Sequence, residues 1–185
     1  MHVRPATLDD ADAVRAIYNH EVEHTTATFD LVPRSLDDQR AWLAARSGAF
    51  SAIVAVAGAD PEHPGPGPVI GFAALSPYKE RAAYRTSVEN SIYIRRDQHG
   101  RGVGRFLLDH LLDVAVDSGF HAVFARIEAG GATSRRLHER CGFRLVGIER
   151  EVGRKFGRWL DVALMECVLH ERQGRAGTGP APGSP

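Results

Sequence analysis

Apolar positions along the chain switch between the alternating spacing of strands and the three- and four-residue spacing of helices. Ala13, Val14 and Ile17 form one helical face behind the capping residue Thr7, and Ser35 is placed to cap a second helix. The pattern predicts strands at 3–6, 51–57, 69–75, 88–94, 121–127, 145–151 and 159–168, and helices after Thr7 and at 36–46, 105–115 and 132–140. Helices and strands that alternate in this way predict an α/β domain.

Two stretches lack this pattern. Residues 58–68 contain four prolines and are expected to form a surface loop between two paired strands. Residues 171–185 are expected to form a disordered tail, because Gly, Pro, Ala and Ser prevail from Gln173 onward. Without an internal repeat or a second core, residues 1–170 are predicted to form a single domain.

The composition narrows the class of protein. The chain has 185 residues, a hydrophobic content of 43% and a formal net charge of zero, which argues against a nucleic-acid or membrane surface. No apolar run approaches the ~20 residues of a membrane span, and the first residues lack the apolar core of a signal peptide. Two cysteines, Cys141 and Cys167, are too few for a disulfide scaffold. These features predict a cytoplasmic protein.

Residues 98–104 carry the clearest chemical signal. The sequence Gln98-His99-Gly100-Arg101-Gly102-Val103-Gly104 joins a predicted strand to a predicted helix, where backbone N–H groups and the helix dipole favour an anion. The alternating glycines remove Cβ atoms that would keep a phosphate away. A P-loop would need Lys-Ser or Lys-Thr after Gly104, and a dinucleotide fingerprint would need glycine in place of Arg105. The segment predicts a pyrophosphate cradle, with an ordinary glycine-rich turn as the alternative.

This cradle resembles the acyl-CoA loop of the GNAT N-acetyltransferases, which have the pattern Q/R-x-x-G-x-G/A. Residues 134–143 resemble the GNAT helix that ends at a Gly-Phe corner. His138, with residues 87–94 upstream, is similar to the phosphinothricin and methionine sulfoximine N-acetyltransferases, in which this histidine replaces the tyrosine of most of the superfamily. The resemblance covers residues 3–169. It implies a GNAT acyl-CoA N-acyltransferase fold (α/β, or α+β), with a mixed, mostly antiparallel sheet flanked by helices, and a homodimer.

The resemblance implies acetyl-CoA as co-substrate and a small amino-acid-like acceptor. The residues expected to bind acetyl-CoA lie on the central strand, in the cradle and at the start of the last helix: Ile92, Tyr93, Ile94, Gln98, His99, Gly100, Arg101, Gly102, Val103, Gly104, Arg105, Gly131 and Ser134. Relatives usually have asparagine at the position of Gly131, so a side-chain bond to the cofactor arm is missing here.

Acetyl transfer from a thioester needs an uncharged amine, so a base must accept a proton. Glu89 is the candidate, because it interrupts an otherwise apolar strand; its alternative is a solvent-facing carboxylate. His138 is expected across the site, where it would relay the proton or protonate the departing thiolate. Its alternative is a histidine on the helix surface.

Residues before this strand are expected to bind the acceptor. By resemblance, Arg85 would clamp an α-carboxylate, a task that suits the planar guanidinium group. Tyr84 and Phe29 would form the wall of the acceptor pocket, and Tyr78 stands where relatives have tryptophan. For the aromatic residues, the alternative is core packing.

Residues 20–24 match the zinc motif H-E-x-x-H. Thr25 and Thr26 follow at once and disfavour a longer helix, and no motif supplies a third ligand, so we expect no metal. Two other functions remain open. One is acetylation of a protein N-terminus or a polyamine, and the other is a non-catalytic acetyl-CoA-binding module.

Overall fold

The structure, a computed structural model, describes residues 1–58 and 67–176. Its strands are β1 (His2–Pro5), β2 (Ala52–Val56), β3 (Val69–Pro77), β4 (Ser87–Ile94), β5 (Ala122–Glu128), β6 (Arg144–Lys155) and β7 (Arg158–Val168). Its α-helices are α1 (Ala11–His24), α2 (Leu36–Ala44), α3 (Val103–Asp117), α4 (Ala132–Arg140) and α5 (Leu169–Ala176). Most of the loop predicted at 58–68 lies outside the described residues.

Local sequence signals account for several element boundaries. Ser35 caps α2 by accepting a hydrogen bond from the Asp38 N–H at 3.1 Å, and the Asp38 carboxylate accepts one from the Ser35 N–H. The helix α3 begins after Gly102, and α4 ends before Gly142; both glycines adopt left-handed backbone conformations. The predicted order of helices and strands is therefore confirmed in the described residues.

The seven strands form one sheet in the order β1-β2-β3-β4-β5-β7-β6. Neighbouring strands run antiparallel except β4 and β5, which are parallel and joined through α3. The expectation of a mixed, mostly antiparallel sheet flanked by helices is thus confirmed.

The parallel strands β4 and β5 pair over only a short distance. Their register runs from Ser87↔Ala122 to Glu89↔Phe124 and then stops. Beyond that point β4 stays paired with β3 as far as Ile94, and β5 stays paired with β7 as far as Glu128. The two strands therefore part after Glu89, and we call this parting the fork.

Both faces of the sheet are covered by apolar helix surfaces. On one face, α3 contributes the fully buried residues Leu107, Leu108, Leu111 and Leu112. On the other, Val14 and Tyr18 of α1 pack with Phe72. Burial of one such side chain stabilises the fold by about 1.5–3 kcal/mol, so these contacts fix the sheet as a rigid platform around the fork.

The end of the chain differs from the sequence-based prediction. Residues 171–176, predicted as part of a disordered tail, are helical in α5. Arg172 donates hydrogen bonds to Asp109 at 2.9 Å and to Asp113 at 3.2 Å, which ties α5 to α3. Residues 177–185 lie outside the described residues. Within residues 1–58 and 67–176, no helix has the length and apolar character needed to cross a membrane.

Candidate functional site

A cleft of about 1020 Å³ opens at the fork. Its walls come from β4, the cradle, β5, α4 and the segment that links α1 to α2. This volume is at the upper end of the range for small-molecule and cofactor sites. The separation of β4 and β5 thus opens a slot that has strand backbone on both sides.

Most residues predicted to bind the cofactor line this cleft. They are Ile92, Tyr93, Ile94, Gln98, His99, Gly100, Gly102, Val103, Gly104, Arg105, Gly131 and Ser134. Arg101 is exposed and does not line it, because the turn between Gly100 and Gly102 directs this position outward. Gly131 lies where a Cβ would come within 2.9 Å of the Glu128 carbonyl oxygen.

The cradle has the geometry of an anion site. Gly100 and Gly102 have φ values of +75° and +81°, which L-residues with side chains rarely adopt. A Cβ at Gly104 would approach Leu137 of α4 to 3.1 Å, so this glycine allows the two helices to lie close together. The free N–H groups at the start of α3 therefore point from a bare backbone towards the cleft, which favours phosphate.

Glu89 lies at the apex of the fork. Its carboxylate is partly buried and makes no hydrogen bond to the described part of the chain. Burial raises the pKa of Glu89; Arg126 opposes this effect and Glu149 adds to it. Arg126 and Glu149 form an ion pair at 2.5 Å. A carboxylate with a raised pKa and free lone pairs, facing a cleft, is suited to accept a proton.

His138 also lines the cleft, but as a buried residue rather than on the helix surface. Its Nδ1 lies 2.8 Å from the Ser134 carbonyl oxygen, and its Nε2 lies 3.2 Å from Oδ1 of Asn90. Burial lowers the pKa of His138, and the Ser134 carbonyl opposes this effect. Asn90 was not singled out from the sequence, although it is a polar residue at a core-facing position of β4.

The residues predicted to bind the acceptor separate into two groups. Phe29 lines the cleft, whereas Tyr78, Tyr84 and Arg85 do not. Tyr78 instead stacks on Phe124, with ring centroids 4.0 Å apart, and Tyr84 packs edge-on against Tyr78. These residues lie before β4 begins, and the short turn that carries them sits beside the fork rather than within it.

A polar network holds the segment that carries Phe29. The buried Lys155 Nζ donates to the Thr28 carbonyl at 2.8 Å, and burial lowers the pKa of Lys155. Glu21 accepts hydrogen bonds from Thr25 at 2.7 Å and from Arg96, next to the cradle, at 3.1 Å. Sequence analysis missed this network because its partners lie far apart in the chain and no local pattern links them.

The H-E-x-x-H match falls at the end of α1. The rings of His20 and His24 stack with centroids 4.6 Å apart, and His24 Nδ1 lies 3.0 Å from the His20 carbonyl oxygen. Across the described residues, no group of three or more His, Cys, Asp or Glu side chains is placed to hold a metal ion.

The cradle, the slot and Glu89 together suit transfer chemistry on a phosphate-bearing ligand. The cradle would hold the phosphates, and the slot would take an extended arm between β4 and β5. The apex would present the reactive end of that arm beside Glu89 and Phe29. This arrangement needs no covalent intermediate, and both cysteines are buried away from the cleft.

Comparison with known proteins gives consistent matches. The profile described as "Acetyltransferase (GNAT) family" matches residues 13–143. A phosphinothricin N-acetyltransferase of Streptomyces coelicolor is 39% identical over 171 residues, covering 91% of this chain and 96% of the relative. An L-methionine sulfoximine/L-methionine sulfone acetyltransferase of Pseudomonas paraeruginosa is 38% identical over 167 residues, covering 90% and 94%.

Solved structures agree with these matches. A ribosomal-protein-alanine N-acetyltransferase from Brucella melitensis superposes with a TM-score of 0.83 at 37% identity, covering 91% of this chain and 99% of the other. A GNAT superfamily phosphinothricin acetyltransferase from Sinorhizobium meliloti, solved in complex with AcCoA, superposes with a TM-score of 0.83 at 33% identity, covering 99% and 93%.

Proposed function

Because the chain belongs to the GNAT acetyltransferase family and is an acetyl-CoA-dependent N-acetyltransferase, we propose that its acceptor is a small amino-acid-like amine of the phosphinothricin, methionine sulfoximine or methionine sulfone type. One observation carries the proposal: the carboxylate of Glu89, which makes no hydrogen bond to the described residues, lies at the apex of the cleft that also contains the glycine cradle. The names of the relatives at 38–39% identity support this acceptor class.

The cradle residues fit the phosphates of acetyl-CoA, because Gly100 and Gly102 expose backbone N–H groups without a Cβ nearby. When bound, acetyl-CoA supplies the activated acetyl group. Residues Ile92–Ile94, which have no strand partner on the fork side within residues 1–58 and 67–176, are proposed to hydrogen-bond the extended arm and to polarise the acetyl carbonyl.

Glu89 is proposed as the proton acceptor, directly or through one water. The acceptor enters as an ammonium ion, and Glu89 takes one proton from it and releases that proton to solvent. The neutral amine nitrogen then forms a bond to the acetyl carbon while the carbon–sulfur bond breaks. The second proton on nitrogen ends on the sulfur, so the products are the N-acetyl acceptor and the CoA thiol.

The role of Glu89 is tested with Glu89→Gln. General base catalysis contributes roughly 10²–10⁴-fold, so kcat at neutral pH should fall by at least about 10²-fold while the KM for acetyl-CoA changes little. Glu80→Gln is the matched control, because Glu80 is exposed and lies off the cleft. Full turnover by Glu89→Gln would remove Glu89 from the mechanism.

Arg85 is proposed as the clamp for the acceptor carboxylate. It is exposed and forms no ion pair with the described residues, so its guanidinium group is available to a ligand that reaches the fork. Arg85→Ala should raise the KM for carboxylate-bearing acceptors, and Arg81→Ala, which changes an exposed arginine on the same segment, should not. An unchanged KM in Arg85→Ala would refute the clamp.

The acceptor class is tested by thiol release with L-methionine sulfoximine, phosphinothricin, spermidine and an N-terminal peptide as separate acceptors. Release with the first two alone supports the proposal. Release with the peptide alone would favour a protein substrate, as the name of the Brucella melitensis structure suggests for that protein. If the protein binds acetyl-CoA but releases no thiol with any of the four acceptors, the non-catalytic module is favoured.

We also propose that the enzyme is a cytoplasmic homodimer. The β6–β7 hairpin exposes the apolar residues Val152, Phe156 and Trp159, and Trp159 is 62% exposed. The buried cysteines suit a reducing compartment. Light scattering should give twice the chain mass for the native protein and the chain mass for Trp159→Glu. A native monomer at micromolar concentration would contradict the dimer.

A further inference from the structure

Four groups form a continuous chain of contacts behind the apex of the cleft. The Ser134 carbonyl oxygen faces Nδ1 of His138 at 2.8 Å, and Nε2 of His138 faces the Asn90 side chain at 3.2 Å. Asn90 Nδ2 then donates to the Phe124 carbonyl oxygen at 3.1 Å. His138 and Asn90 are both buried, so each of these contacts satisfies a polar atom that is largely removed from solvent.

This series of contacts has a carbonyl oxygen, which is a hydrogen-bond acceptor, at each end. A carbonyl oxygen only accepts hydrogen bonds, so the three contacts between Ser134 and Phe124 require three N–H groups. The Asn90 amide fills one contact, whichever way it is turned. A neutral imidazole has one N–H, so one of the three contacts is left without a hydrogen. An imidazolium has two N–H groups, so all three contacts become hydrogen bonds.

We propose that Asn90 is a positioning residue that stabilises the protonated ring of His138 at the fork. Its amide is held by Phe124 on one side and therefore presents Oδ1, an acceptor, to the ring on the other. Without Asn90, the neutral ring would satisfy its only carbonyl partner at Ser134, and protonation would leave one buried N–H without a partner.

The other groups around the His138 ring are aromatic, exposed or directed away from it. Phe143 packs edge-on against the ring with centroids 4.9 Å apart. On α4 itself, Arg136 and Glu139 are exposed, and on β4 Glu89 projects from the opposite face of the strand to Asn90. Burial favours the neutral ring and the Ser134 carbonyl favours the cation, while no ionised side chain in the described ranges shifts the pKa of His138.

The role of Asn90 and His138 in turnover rests on the proposed function, to which it adds a group that holds a proton during the reaction. As the carbon–nitrogen bond forms and the carbon–sulfur bond breaks, Nε2 of His138 takes the proton that the amine nitrogen releases. The ring then gives this proton to the sulfur and returns to its neutral form. Asn90 contacts neither reacting atom in this scheme and acts through His138.

The test is nuclear magnetic resonance titration of the histidine ring nitrogens in ¹⁵N-labelled protein, without acetyl-CoA or acceptor. The His138 signals are assigned from their loss in His138→Gln. In Asn90→Leu, loss of a hydrogen bond to the charged ring should weaken proton binding at His138 about tenfold. In Asn90→Asp, the added carboxylate should strengthen it. His110 is the internal control, because its Nδ1 lies 2.8 Å from the Phe106 carbonyl in the same geometry without contact to Asn90.

Opposite shifts in the two variants, with His110 unchanged, support the assignment, since partial unfolding would not produce shifts in opposite directions. An unchanged His138 titration in both variants overturns it. For the role in turnover, Asn90→Leu should lower kcat about tenfold with little change in the KM for acetyl-CoA, and should add nothing in a His138→Gln background. A shifted titration with an unchanged kcat overturns that role, and thiol release by the wild type with the acceptor panel decides the proposed function separately.

Discussion

Gly153 of β6 lies directly behind Phe29, which forms a wall of the proposed acceptor site. The Phe29 ring lies directly over it, so a Cβ at this position would overlap the ring. The backbone of Gly153 is outside the left-handed region, so an alanine is acceptable to the main chain. The substitution Gly153→Ala therefore tests the space under Phe29 and nothing else.

The structure sets the size of the effect. Lys155 holds the Thr28 carbonyl at 2.8 Å and Tyr18 bonds the Thr28 hydroxyl at 3.0 Å, so the backbone beside Phe29 stays in place and the ring must move. Overpacking of a well-packed core costs about 1–3 kcal/mol, and the lower end applies here because Phe29 is 37% exposed. For a chain of this size, each kcal/mol lowers Tm by about 2–4 °C.

The displaced ring should also change kinetics. Phe29 lines the cleft and is proposed to contact the acceptor, so the KM for the acceptor should rise while the KM for acetyl-CoA stays within about twofold. A change in pocket fit of one methylene group is worth about tenfold or more in kcat/KM, which sets the expected loss.

Thermal unfolding and steady-state kinetics check this prediction, with Gly147→Ala as the matched control. Gly147 lies on the same strand, and a Cβ there meets no atom within 4 Å. Adding Phe29→Leu to Gly153→Ala should restore part of the lost stability, because the smaller side chain relieves the overlap. Equal Tm and acceptor KM for the two glycine variants would refute the reasoning.

Three further predictions each concern one residue. Gly102→Ala should lower the free energy of unfolding by about 1–2 kcal/mol, because Gly102 has a left-handed backbone, and it should also weaken acetyl-CoA binding. Unfolding experiments measure the first effect and calorimetry the second. Unchanged values would show that the loop adapts. Glu89→Gln should be more stable than the wild type at neutral pH, because burial raises the pKa of Glu89 and the folded protein resists its ionisation. The difference should fade as pH falls through the raised pKa of Glu89 towards the ordinary value of ~4.3, and a constant difference across this range would contradict the assignment. Asp10→Asn should lower the free energy of unfolding by about 1–3 kcal/mol, because the buried Asp10 carboxylate of the wild type accepts two hydrogen bonds from Arg4 at 2.7 Å. Burial alone raises the pKa of Asp10, but the bonds from Arg4 and Thr7 outweigh it and lower the pKa. The wild type should therefore keep this advantage above the ordinary value of ~3.9 and lose it as pH falls below that value through the lowered pKa.

Local signals predicted the fold well. Ser35, Gly102 and Gly142 mark helix ends by their own conformational chemistry, and the predicted strands all occur in the sheet. The helix α5 was missed because ion pairs from Arg172 to α3 hold it, and such pairs depend on tertiary structure rather than on composition.

The site was predictable only where its chemistry is local. The glycine cradle and Glu89 could be proposed from spacing and from polarity within an apolar strand, and both line the cleft. Asn90 gains its importance from Phe124 and His138, which are 34 and 48 residues away, and no pattern along the chain links them. The roles of Arg85 and Tyr84 stay predictions, since the structure places both beside the cleft rather than on its wall.

The fork also joins two halves of the sheet by only three residue pairs. Past Glu89, alternate backbone amides of β4 lack a strand partner on the fork side, and a ligand laid along the slot would complete the ladder. Occupancy at 100 times Kd adds about 2.7 kcal/mol of stability, and we expect it to appear as slower amide hydrogen exchange in residues 90–94. The supply of acetyl-CoA would then govern how long each molecule survives proteolysis as well as how fast it works.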